Sequence, residues 1–180
     1  VPMYQKSNES LPEMIVRLIM LFSLLPTSLV SEEKRTKIIE VAIKKLSESQ
    51  SKEGNFNYSA YSFSDLYAIF QCALASNILD NIQVTNHFKP SQIMKFQEMF
   101  KSIKSKAIAF LSENIQADGG YRAKKEKKFS SDQQSSCYGI SSFALFNQDP
   151  KKIIKSLEWL ITFTKNGITS FPEATGPRPI

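Results

Sequence analysis

Histidine is nearly missing from this chain of 180 residues: His87 is the only one. Catalysis by a histidine base, or a metal held mainly by imidazoles, therefore has one place to start from. Cysteine is almost as scarce. Cys72 and Cys137 lie far apart with no metal-ligand spacing between them, so two readings stand: a pair of buried small thiols, or a disulfide joining neighbouring helices. Long hydrophobic runs are also lacking. The best candidate, Met14 to Val30, is interrupted by Arg17, Pro26, Thr27 and Ser28, falls short of the roughly 20 apolar residues that span a bilayer, and reads as a core helix. There is no glycine-rich phosphate loop, no G-x-S-x-G elbow and no helix bearing paired histidines.

What remains is the composition of an ordinary globular domain, 42% hydrophobic and 22% charged, long enough to bury a real core. The formal net charge of +6 permits an acidic partner, but its pattern is that of solvated helix faces and gives no nucleic-acid reading. The chain starts at Val1-Pro2 with no visible signal peptide, which fits a processed form or an excised piece. Asn8-Glu9-Ser10 and Asn57-Tyr58-Ser59 match the N-glycosylation pattern and weakly favour a secreted or extracellular location. No cofactor is implied.

Helical periodicity dominates. Ser10 and Pro12 open a first helix that carries Ile15, Leu18, Ile19, Phe22 and Leu25 before Pro26 stops it. Ser31 followed by Glu32 and Glu33 opens a second, with Ile38, Val41, Ala42 and Leu46. A third, from Leu66 to about Ile78, is apolar nearly all round and so is expected to be enclosed. A fourth begins at Pro90, a fifth spans Ser135 to Phe146, and a sixth follows Asp149-Pro150. No segment reads as a strand.

A stretch of the chain occurs twice. Ala42-Ile43-Lys44-Lys45-Leu46-Ser47-Glu48, running on to Glu53-Gly54-Asn55-Phe56, returns as Ala107-Ile108-Ala109-Phe110-Leu111-Ser112-Glu113, running on to Asp118-Gly119-Gly120-Tyr121. The helices after these turns match as well: Leu66-Tyr67-Ala68-Ile69 and Ala73-Leu74 align with Cys137-Tyr138-Gly139-Ile140 and Ala144-Leu145. The second unit is longer in its turn, where Arg122, Lys124, Lys125, Lys127 and Lys128 form a basic insertion and the best candidate for a contact loop. A third unit starts at Ser156-Leu157-Glu158-Trp159-Leu160 and reaches Asn166-Gly167, after which Pro172, Pro177 and Pro179 bar a further helix. Repeats of this kind stack so that each buries its apolar face on its neighbour. Gly54 and Gly119 are expected to take positive φ and end their helices sharply, with Phe56 and Tyr121 folding back on the preceding helix. The domain expected is all-α over residues 1–171, built of repeated helix pairs, with an extended proline-rich tail at 172–180.

A charge-bearing helix, the turn Gln116-Ala117-Asp118-Gly119-Gly120-Tyr121, then an apolar helix containing Ser136-Cys137-Tyr138-Gly139-Ile140, resembles the α/α-toroid superfamily over about residues 31 to 171. That group includes prenyltransferase β subunits, terpene and squalene cyclases, cobalamin carriers and complement-type thioester domains. The resemblance implies a partial toroid of about three helical hairpins. The catalytic motifs of these relatives do not carry over. Prenyltransferases hold zinc with Asp, Cys and His; here Asp132 is present, but Ser135 stands where the histidine would be. Cyclases need clustered aspartates, whereas Asp65, Asp80, Asp118, Asp132 and Asp149 are scattered singly, and neither cysteine has a thioester context. The expectation is a non-catalytic binding module, part of a larger chain or assembly, with a protein partner or self-association. The alternative is a piece of a toroid enzyme whose metal ligands lie outside this chain.

Overall fold

A computed structural model describes residues 11–26, 28–56, 65–81, 88–122 and 131–165. Six helices account for nearly all of them: α1 (Leu11–Leu24), α2 (Glu32–Ser49), α3 (Asp65–Asn81), α4 (Pro90–Asn114), α5 (Gln133–Leu145) and α6 (Ile154–Lys165). The protein is all-α, as the periodicity implied. The helix starts are set by local chemistry. Ser31 accepts from the Lys34 amide at the head of α2, Asp132 accepts from Ser135 at the head of α5, and Pro90 occupies the first position of α4. Each such side-chain cap is worth ~1 kcal/mol.

Two local features differ from the expectation. The sixth helix begins with a 3-10 turn, Pro150–Ile153, because Asp149 caps the Lys151 amide and tightens the entry before α-geometry starts at Ile154. Two short strands also exist, β1 (Tyr121–Arg122) and β2 (Ser131–Asp132), paired antiparallel with Tyr121 opposite Asp132 and Arg122 opposite Ser131. They close the base of the basic insertion. A two-residue strand has no periodicity to read, so the hairpin was invisible in the sequence. Lys124, Lys125, Lys127 and Lys128 lie outside the described residues, as does His87.

Packing follows the polarity of the helices. α3, apolar all round, lies against α1, α4 and α5; α2 packs on α1 and α4; α5 meets α6. The core runs through all of them: Ile15, Val16 and Ile19 from α1, Ile39, Ile43 and Leu46 from α2, Leu66, Ile69 and Cys72 from α3, Phe96, Phe100, Ile103 and Phe110 from α4, and Phe143 from α5. At roughly 25 cal/mol per Å² of apolar surface removed from water, these side chains are the main stabilising contribution.

Among the described residues Arg35 is the one fully buried cation. Its guanidinium donates to the Leu25 and Val30 carbonyls and lies 5.7 Å from the centroid of the Phe88 ring. It thereby ties the link between α1 and α2 to the body of the protein. Surface ion pairs such as Lys95–Glu40 at 2.7 Å add register between α2 and α4 rather than much stability. No described helix is long and apolar enough to cross a membrane.

Candidate functional site

The turns after α2 and α4 are built alike. Both helices that precede them end in extended backbone, at Gln50 (φ −80°, ψ 129°) and Ile115 (φ −70°, ψ 124°). The glycines come later, inside the turn, so their positive φ does not terminate the helix as expected from the sequence. Gly54 (φ 97°) donates to Ser51 O, and Gly119 (φ 99°) donates to Gln116 O. The Ser51 amide reaches Asn55 O, and the Gln116 amide reaches Gly120 O, each at 2.8 Å. The bridges Gln50–Phe56 and Ile115–Tyr121 close the two turns in the same way.

The glycines have a second reason to be glycine. A Cβ on Gly54 would stand 2.2 Å from Lys106 O in α4, and one on Gly119 would stand 2.7 Å from Lys155 O in α6. Each turn is therefore pressed against the backbone of the next charge-bearing helix along the chain. The aromatic that follows points forward too. Tyr121 is fully buried, and its ring lies where a Cβ on Gly139 of α5 would fall, at 2.8 Å. The expectation that it folds back on the preceding helix is corrected: Gly139 opens a slot in the following helix, and the ring fills it.

Around the second turn, Asp118 gathers donors. Its Oδ1 accepts from the Gly120 amide at 3.0 Å and from Ser131 Oγ at 2.8 Å, and its Oδ2 accepts from Trp159 Nε1 at 3.2 Å. Lys155 Nζ donates to Ala117 O, and the Tyr121 amide donates to Ser136 Oγ at 2.8 Å. Through these bonds Asp118 joins turn, insertion and last helix. Gly120 is the seat of that junction, since a Cβ there would fall 2.6 Å from Ser131 Cβ and 2.7 Å from Trp159 Cε2.

The thiols are not joined. Cys72 is buried within α3 and Cys137 is exposed on α5, so the disulfide alternative is not the one formed. Burial pushes the Cys72 thiol well above its ordinary range. Desolvation, with the Asp132 charge adding to it, raises Cys137 also. Both are held as neutral thiols, poor nucleophiles near neutral pH. Asp132 is occupied as the cap of α5, and Ser135 is buried behind it. Among the described residues no three of His, Cys, Asp and Glu stand close enough to hold a metal ion. Arg122, the one described member of the basic insertion, lies in β1 with a buried Nε that has no hydrogen-bond partner.

What the sequence analysis did not single out is a set of uncovered apolar positions. Aligning Lys155 on Lys106, the two residues against which the glycine turns press, places Leu157 on Ile108 and hence on Ile43. Ile43 is 1% exposed, but Leu157 is 41% exposed, flanked by exposed Ile154 and Ile161. The matching positions of α2 are Glu40, Ile43 and Ser47, which line an open groove with Met99 of α4; of the three, Ile43 alone is apolar. The apolar layer behaves alike. Leu66, Ile69 and Ala73 are buried in α3, whereas their counterparts in α5 are exposed Cys137, half-buried Ile140 and exposed Ala144. Periodicity alone could have named these residues, but not their exposure.

No protein-family model matches the chain, and a search of curated proteins finds no match.

Proposed function

We propose that this chain is a non-catalytic binding module, an open arc of α/α repeats of the toroid kind, whose last helices present an unfinished face to a protein partner. The observation that carries this reading is the paired loss of cover on α5 and α6. Leu66, Ile69 and Ala73 of α3 and Ile43 of α2 are buried, whereas their counterparts Cys137, Ile140, Ala144 and Leu157 are half-buried or exposed. In a stacked array, an interior unit is buried on both sides, and a free end is normally made polar. Leu157, the counterpart of buried Ile43, instead stays apolar and is 41% exposed.

The test replaces Ile154 with a photoreactive residue and compares crosslinking with and without Leu157→Asp and Ile161→Asp. Crosslinked protein is expected and should disappear in the double variant, with helix content unchanged. A pattern indifferent to the double variant overturns the reading. Tight zinc or lipid diphosphate binding, measured by calorimetry, would favour a toroid enzyme instead.

A further inference from the structure

Among its described side chains α6 buries one, and that one is polar: Ser156, with no exposure at all. The earlier helices are seated by apolar residues, as α4 is by Phe96, Phe100, Ile103 and Phe110. Ser156 Oγ stands beside the Tyr121 hydroxyl, and neither atom has a hydrogen-bond partner. Buried hydroxyls left in that state oppose docking rather than drive it. α6 also carries exposed Ile154 and Leu157, and it packs on α5 and the 3-10 turn before it. The polar bonds that anchor it run to the turn after α4. Lys155 Nζ donates to Ala117 O, Trp159 Nε1 donates to Asp118 Oδ2 at 3.2 Å, and Gly119 presses on the Lys155 carbonyl.

The base of the β1–β2 hairpin is fastened to the same turn. Ser131 Oγ donates to Asp118 Oδ1 at 2.8 Å, so one carboxylate holds the hairpin by one oxygen and α6 by the other. Gly120 is shared as well. A Cβ there would meet Ser131 Cβ at 2.6 Å and Trp159 Cε2 at 2.7 Å, so both side chains rest on one glycine.

We infer that the hairpin base and α6 loosen and tighten together, as one unit latched through Asp118 and Gly120, while α3 and the helices around it stay packed. A carboxylate that accepts from two elements is oriented by both, so losing one donor leaves the other bond poorly aimed. The glycine seat acts in the same sense, because either side chain, on leaving, removes the wall against which the other packs. Coupling of this kind is reciprocal: whatever fixes the hairpin fixes α6 by the same factor, and the converse holds. The latch makes the hairpin base a control point for α6, the helix that carries Leu157. It is a property of the chain alone, with or without a partner at Leu157. Opening of such a unit below global unfolding is what amide exchange reads.

Amide exchange followed by NMR on the full chain tests the latch, each substitution being read on the side opposite to it. Ser131→Ala removes the hairpin's bond to Asp118 and is read at the α6 amides. Trp159→Phe keeps a ring in place, removes the Nε1–H donor, and is read at residues 120–122, 131 and 132. Each should speed exchange on the opposite side about tenfold, the effect of roughly one lost hydrogen bond to a charged group, with α3 unchanged. Should Trp159→Phe fail to fold by circular dichroism, Ser131→Ala read at α6 carries the test alone. Exchange that changes only on the substituted side, in either variant, overturns the inference, as does no change on either side. A rise shared by α3 overturns it too, because the unit would then open only with the whole fold. None of these measurements involves a partner, so their failure leaves the binding reading standing, and failed crosslinking from position 154 leaves the latch standing.

Discussion

The turn after α2 and the turn after α4 share a backbone and differ in what holds them. Gly54 and Gly119 have φ of 97° and 99°, and corresponding amides meet corresponding carbonyls. The first turn is secured by backbone and amide contacts: Gln50 Nε2 donates to Gly54 O at 2.9 Å and to Ile103 O at 3.1 Å. The second is secured by a carboxylate, Asp118, that reaches the insertion through Ser131 and the last helix through Trp159. The same local fold thus serves once as a plain joint and once as a junction of three elements. The difference lies where the chain has an added loop and a helix short of neighbours.

The largest effects should come from the glycines themselves. Gly54→Ala combines positive φ with a Cβ pressed on the Lys106 carbonyl and should cost about 3 kcal/mol or more. Gly119→Ala meets a less severe contact and should cost about 2 kcal/mol, read from urea denaturation. Equal costs would mean that φ alone matters and that the approach to the next helix does not.

Gly120→Ala should cost ~1–3 kcal/mol by overpacking against Ser131 and Trp159, while Asn55→Ala at the matching place in the first turn should cost under about 1 kcal/mol. Asp118→Ala should cost about 1–2 kcal/mol through the donors it abandons. Trp159 is the sole tryptophan, so its fluorescence should shift in Asp118→Ala and stay unchanged in Gln50→Ala. A shift in both would show that the turns are coupled rather than separately held.

The smallest effect concerns Tyr121, whose hydroxyl is buried without a hydrogen-bond partner. Burial raises its pKa above the ordinary value of 10.0, with the Ser156 hydroxyl pulling weakly the other way. The folded state therefore keeps the proton after the unfolded chain has released it. Stability from this group is present below pH ~10 and declines as pH rises beyond that. Tyr121→Phe should be close to neutral at pH 7 and should flatten the alkaline limb of a stability–pH curve. Phe56 already stands at the matching place in the first turn, so Phe56→Tyr should introduce that limb there.

Much of the scaffold was legible in the residues. Helix starts followed from Ser31 and Pro90, and the enclosed position of α3 followed from an apolar pattern with no polar face. The twin turns were visible because glycine, an acid and an aromatic recur at one spacing. What each glycine faces was not visible, since Lys106 and Lys155 are brought to it from a later helix. Tyr121 was placed on the wrong helix for the same reason: the slot at Gly139 exists only once α5 has docked.

By itself, then, the sequence determined the local states: where helices begin, that the turns need positive φ, and that no histidine-based site can be assembled easily. Those properties depend on residues within a few positions of one another. The tertiary structure alone decided which of the equivalent apolar positions are covered. Ile43 and Leu157 are interchangeable to a reader of periodicity, and only the presence of α4 beside one makes it core while the other stays at the surface. Burial is a property of neighbours, and neighbours distant in the chain are chosen by packing.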